Sequence, residues 1–117
     1  MRCLGIDLGG SGFRLGVFDV GTGILCSKWQ VIAHDGDTKP SSIVPRIRDS
    51  LIDIGWFGPI GLGFPGVVSG GRILTAPNLG DEWIKLDLKG ELENFHHGII
   101  TMINDADAVA LTEYSLG

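Results

Sequence analysis

The chain has 117 residues and a formal net charge of −5, with 44% hydrophobic and 20% charged residues. That length suits one domain with a core of its own, and the balance is that of an ordinary globular protein. Acidity without a basic run or stripe argues against nucleic acid or an anionic membrane as the main partner, while leaving room for a local anion site.

Residues 2–8 form an apolar stretch that runs into Asp7, and a turn with three glycines, Gly9-Gly10-Ser11-Gly12, follows. Phe13, Leu15 and Val17 then alternate with Arg14, Gly16 and Phe18, which reads as strand, tight turn, strand. A third strand is expected over roughly residues 24–32, closing an antiparallel meander. Residues 34–40 read as a polar loop. Ile43, Ile47, Leu51 and Ile54 fall at helical spacing. Ser41 or Ser42 is expected to cap that helix, Pro45 to sit in its first turn, and Gly55 and Gly58 to end it. A short strand over 59–64 and a small hairpin around Ser69-Gly70-Gly71 come next. Trp83 and Ile84 are expected to anchor the loop that follows, and Asp87 to cap a second helix carrying Leu88 and Leu92. Residues 98–103 read as a buried strand, and residues 104–117 as a helix. The order β-β-β-α-β-hairpin-α-β-α implies an α/β fold: a mixed sheet with helices against it.

Cys3 and Cys26 lie in strand-like segments without metal-type spacing and read as buried free thiols. His96-His97 read as solvated or dipole-stabilising residues, not a metal pair, because adjacent residues do not share a helix face. With no signal-peptide pattern and no apolar run near 18 residues, a cytoplasmic protein is expected. The abrupt end within a helix suggests a following domain.

Two places carry chemistry. In the first turn, glycines permit positive φ and close approach of a ligand, and successive backbone N–H groups form an anion nest. Ser11 adds a hydroxyl, Arg14 a fixed positive charge, and Asp7 a carboxylate for a magnesium ion that accompanies a polyphosphate. The alternative is a plain glycine-rich hairpin. In the second place, Asn104-Asp105-Ala106-Asp107 follows a strand directly, at the strand end where α/β sheets bind ligands. A helix N-cap accounts for one of these acids. Asn104 with Asp105 suits a substrate hydroxyl better, the aspartate as proton acceptor and the asparagine as both donor and acceptor. Asp107 is explained by the helix dipole alone. Gly61-Leu62-Gly63-Phe64-Pro65-Gly66 spells a dinucleotide fingerprint, but Val67-Val68 and Gly70-Gly71 follow where that motif requires a helix. A strand ending in a sharp turn is the better reading.

Together, Gly5-Ile6-Asp7-Leu8-Gly9-Gly10-Ser11-Gly12, Gly61 to Val68, Ala76-Pro77-Asn78-Leu79 with Trp83, and Asn104 to Ala108 resemble the ROK family of sugar kinases and sugar-responsive repressors. Gly-Phe-Pro-Gly-Val-Val and Asn-Asp-Ala-Asp-Ala resemble its polyphosphate glucokinase branch. The resemblance implies an actin-like ATPase (ribonuclease H-like) fold, with residues 1–117 as the N-terminal lobe carrying a mixed five-stranded sheet. It implies phosphoryl transfer from ATP or polyphosphate, with Mg2+, to the 6-hydroxyl of glucose.

By the same resemblance Asp7, Gly9, Gly10, Ser11, Gly12 and Arg14 form the first phosphate motif, with Arg14 where the family often has lysine. Gly66, Asn78 and Asn104 bind the sugar, and Asp105 is the catalytic base. The second phosphate motif, the adenosine site and the zinc site belong to a C-terminal lobe that this chain lacks, so such a lobe is expected in cis or in trans; a homodimer is an assembly this reading allows. The alternative is a non-enzymatic sugar-sensing or phosphate-binding lobe, as in the family's repressors.

Overall fold

The computed structural model describes residues 1–104. Its centre is a five-stranded sheet in the order β3-β2-β1-β4-β7. The strands are β1 (Arg2–Leu8), β2 (Gly12–Asp19), β3 (Gln30–Ala33), β4 (Ile60–Phe64) and β7 (Ile100–Asn104). β1, β2 and β3 form the antiparallel meander, and β4 and β7 run parallel to β1. A separate two-stranded hairpin pairs β5 (Val68–Ser69) with β6 (Arg72–Ile73). The mixed five-stranded sheet is therefore as the sequence implies.

Period-two alternation decides which side chains enter the core. Leu4, Ile6 and Leu8 are buried and lie opposite Val17, Leu15 and Phe13 on β2. Ile60 and Leu62 continue the same face through β4, and Ile100 through β7. Helix α1 (Pro40–Ile54) adds Ile43, Ile47 and Leu51, and helix α2 (Leu88–Glu93) adds Leu88 and Leu92, all in one cluster. Each such side chain contributes about 1.5–3 kcal/mol when taken from water. Trp83, in the short 3-10 turn Asp81–Trp83, is fully buried. Its ring lies 5.5 Å from that of Phe64, and its Nε1 donates to the Thr38 carbonyl at 2.7 Å.

The other face carries Cys3, Gly5 and Asp7 opposite Phe18, Gly16 and Arg14. Glycine lets aromatic rings lie directly on the sheet there. A Cβ on Gly5 would come within 3.0 Å of the Phe18 ring, and one on Gly16 within 3.0 Å of Trp29.

Several boundaries differ from expectation for local reasons. The third strand begins at Gln30, because residues 20–29 turn away after a single bridge between Phe18 and Leu25. α1 starts at Pro40, whose fixed φ suits a first helical position, with Lys39 as N-cap and no side-chain cap bond. Ser42 does not cap it; its hydroxyl donates to Asp37 at 2.6 Å. Pro45 consequently lies inside the helix. Gly55 ends α1 in the left-handed conformation with φ 71°, as expected, and Asp87 caps α2 by accepting from the Gly90 amide.

Ile84 is exposed, so of the expected pair only Trp83 anchors the loop. His96 is buried, with Nε2 at 2.7 Å from the Gly58 carbonyl, and is not a solvated residue. Both cysteines are free. Cys3 is half-buried, and that burial raises its thiol pKa, whereas Cys26 is exposed, contrary to expectation. Among the described residues no helix is long and apolar enough to cross a membrane.

Candidate active site

β1 and β2 are joined by a short loop, residues 9–11, across which the Gly9 amide donates to the Gly12 carbonyl at 2.8 Å. The glycines here serve close approach and not unusual backbone angles. None of Gly9, Gly10 or Gly12 has a left-handed φ, nor does Ser11. A Cβ on Gly12 would strike the Ile32 carbonyl oxygen, and one on Gly10 would lie 3.1 Å from the Asn78 Cβ. The left-handed alternation of a backbone nest is therefore not how this turn is built.

Asp7 and Arg14 face each other across the β1–β2 ladder, with Arg14 Nε 3.1 Å from Asp7 Oδ2. Both side chains are well exposed, at 39% and 48%, so the pair contributes at most about 1 kcal/mol. The Arg14 guanidinium also lies 4.2 Å above the Trp29 ring, which fixes its direction. Asp7 uses one carboxylate oxygen for Arg14 and so has the other to offer. Among the described residues no group of three potential ligands could cage a metal. A lone carboxylate fits a magnesium ion that brings phosphate oxygens and water with it.

The sheet register aligns the rest of the site. Asp7 pairs with Gly63, Gly63 with Ile103, and Phe64 with Asn104. With strands about 4.8 Å apart, the backbones of Asp7 and residue 103 lie about 10 Å from each other along one edge. It is the edge formed by the carboxyl ends of three parallel strands, where α/β sheets bind ligands. Asn104 is the last residue of β7 and not the first of a helix. Asp105 and Asp107 lie outside the described residues.

At the end of β4 the chain turns sharply, the Gly66 amide donating to the Phe64 carbonyl at 2.9 Å. Gly66 sits against the Thr75 carbonyl, where no Cβ could fit. The Thr75 hydroxyl accepts from the Val67 amide at 2.9 Å and holds the turn to the next loop. β5 and β6 follow, so the glycine pattern of residues 61–66 ends in a turn and opens no helix. The loop carrying Asn78 is pinned by buried Ala76 and Leu79 and by the Thr38 hydroxyl donating to the Leu79 carbonyl at 2.9 Å. Asn78 is exposed and lies directly on Gly10, which joins the β1–β2 turn to the loop read as sugar-facing.

His34 is a residue that the sequence reading missed, having been placed in a polar loop. It is 1% exposed. Its amide donates to the Ser11 carbonyl at 2.9 Å, and its Nε2 lies 2.7 Å from the Gly9 carbonyl. Its signal was parity: Ile32 faces the core opposite Phe13, and His34 is the next residue of the same phase.

Comparison with known proteins agrees with this geometry. The ROK family model matches residues 3–117. The polyphosphate glucokinase of Mycobacterium tuberculosis (strain H37Rv) is 34% identical over 114 residues, covering 97% of this chain and 43% of the relative. The polyphosphate/ATP-glucomannokinase of Arthrobacter sp. strain KM superposes with a TM-score of 0.89 at 26% identity, covering 99% of this chain and 49% of that one. A ROK family glucokinase from Streptomyces griseus, solved with glucose and AMPPNP, gives a TM-score of 0.84 at 29% identity over 100% of this chain and 37% of that one. The chain thus spans less than half the length of the relatives it matches. With the family model running through the turn, the strand ends and the Asn78 loop, the chain belongs to the ROK family and has its actin-like ATPase fold.

Proposed function

We propose that the chain is the N-terminal lobe of a glucokinase-type hexose kinase, transferring a phosphoryl group from polyphosphate or ATP to the 6-hydroxyl of glucose. The observation that carries this reading is the single sheet edge that holds the β1–β2 turn, the Gly66 turn and the end of β7, with Asn78 bridging to Gly10. The glucokinase names of its relatives support the same class.

Phosphoryl transfer needs mainly positioning and charge neutralisation from the protein. In this reading Gly9, Gly10, Ser11 and Gly12 approach the transferred phosphate with their backbone, and Arg14 neutralises its charge. Arg14 leaves Asp7 at little cost, because an exposed pair is weak. Asp7 would hold magnesium, which when bound supplies neutralisation of phosphate charge. Gly66, Asn78 and Asn104 orient the sugar, and Asp105 takes the hydroxyl proton. The second lobe, in cis or in trans, closes the cleft over the donor.

The test is Asp105→Asn in the kinase assembled from this chain and its second lobe. Turnover should fall by about 10²- to 10⁴-fold while glucose binding, measured by calorimetry, survives. Near-normal turnover would remove Asp105 as the base. Glucose binding with no transfer by the unmutated protein from either donor would favour a sugar-sensing lobe instead.

A further inference from the structure

A hairpin loop of two or three residues normally sustains itself through positive φ at one or more of its residues. Gly10 and Ser11 have no positive φ, so this loop lacks that support. His34 holds it from behind. His34 binds both outer carbonyls of the loop, Ser11 through its amide at 2.9 Å and Gly9 through Nε2 at 2.7 Å. The His34 carbonyl in turn accepts from Arg46 Nη1 on α1 at 3.0 Å and from the Asp37 amide at 3.0 Å. The loop is thereby tied to the helix that packs beneath the sheet.

The imidazole makes this bond at a price. Facing a carbonyl oxygen, Nε2 must carry a proton, and in the neutral ring Nδ1 is then a bare acceptor. Nδ1 is buried and has no hydrogen-bond partner among the described residues. An apolar side chain would fill the same space without an orphaned nitrogen. The ring's one hydrogen bond is to the turn, and that bond is what a histidine adds here.

The bond also sets the direction of an amide. A trans peptide holds its C=O and N–H on opposite sides, and the chain has no cis peptide among the described residues. With the Gly9 carbonyl drawn back to His34, the N–H of the same peptide, on Gly10, points away from the core. Gly10 is exposed, and its amide donates to no group among the described residues.

We propose that His34 is a positioning residue for phosphoryl transfer, holding the Gly9–Gly10 peptide so that the Gly10 amide faces the phosphoryl donor. The proposal rests on the kinase reading above. It is tested in the assembled kinase with glucose as acceptor and MgATP or inorganic polyphosphate as donor, comparing His34→Gln, His34→Asn and His34→Ala. A glutamine amide can reach the Gly9 carbonyl from the Nε2 side, whereas asparagine is too short. His34→Ala should raise the donor KM by about tenfold or more and leave the glucose KM within about twofold, with His34→Asn alike and His34→Gln close to wild type. A folded His34→Ala protein with an unchanged donor KM overturns the proposal. So does a His34→Gln variant no better than His34→Asn, or an equal rise in both KM values. Should His34→Ala fail to fold, the glutamine and asparagine pair decides. Absence of transfer by the unmutated protein is a separate result that overturns the kinase reading, and the proposal with it.

Discussion

Among the described residues two hairpins have short, glycine-bearing loops, and they use glycine differently. In the β5–β6 hairpin the loop is Gly70-Gly71, both with positive φ (59° and 83°), and a Cβ on Gly70 would meet nothing within 4 Å. This loop is shaped first by its own backbone conformation, although a Cβ on Gly71 would come within 2.9 Å of the Lys89 Cβ. In the β1–β2 hairpin the loop residues have ordinary φ, Gly10 is crowded by Asn78, Gly12 just after the loop by Ile32, and His34 hydrogen-bonds the Gly9 and Ser11 carbonyls. This loop is stable because of its surroundings. The difference teaches what glycine is for in each place: backbone freedom in the first, and absence of a side chain in the second. A turn shaped by its neighbours can present an amide that an isolated hairpin would not.

The comparison breaks most readily at Gly12. Gly12→Ala places a methyl group against the Ile32 carbonyl, and overpacking against backbone should cost about 1–3 kcal/mol. Thermal unfolding measures that loss, and the donor KM should rise with it. An unchanged melting temperature would show that β2 and β3 can separate without penalty, and the contrast would fail.

A smaller effect is expected at Gly70. Gly70→Ala forces a Cβ into a left-handed conformation and should cost about 1–2 kcal/mol, with no change in donor KM. Gly70→Asn should recover most of that loss, since asparagine tolerates this region. Equal losses for alanine and asparagine would mean that space and not conformation governs this turn.

The smallest effect concerns the bracket behind the first turn. The Ser42 hydroxyl, and then the Lys39 amide, hydrogen-bond the Asp37 carboxylate and hold its pKa below the usual value. A depressed carboxylate adds stability above its unfolded pKa of about 4 and loses it as the pH falls through the lower folded value. Ser42→Ala should therefore be slightly less stable at neutral pH and lose less than wild type on acidification below about pH 4. Parallel pH profiles of melting temperature for the two proteins would remove Asp37 from the bracket.

Much of the scaffold was legible because each signal was local. Alternation in Leu4, Ile6 and Leu8 marks β1, and Ile43, Ile47 and Leu51 mark the buried face of α1. Gly55 and Asp87 end and begin helices by rules that involve only nearby backbone. The misreadings fall where two local signals competed or where a distant partner decided. Pro40 and Pro45 both suit a first helical turn, and Ser41 and Ser42 between them are N-cap types, so the local signals for the start of α1 compete. Ile84 and Trp83 are both apolar, but only Trp83 finds the Thr38 carbonyl and the Phe64 ring. His96 looked solvated because its partner, the Gly58 carbonyl, is 38 residues away.

The sequence by itself determined the alternating strands, the helical faces and the order of the motifs, since these follow from periodicity and backbone rules acting over a few residues. It also carried the chemical character of the candidate site: a glycine-rich turn beside Asp7 and Arg14, and Asn104-Asp105 at a strand end. Only the tertiary structure decided that Asn78 lies on Gly10, that Gly66 and Asn104 share an edge with Asp7, and that His34 stands behind the turn. Those relations depend on strand pairing and loop packing between residues far apart in the chain, where no local propensity acts.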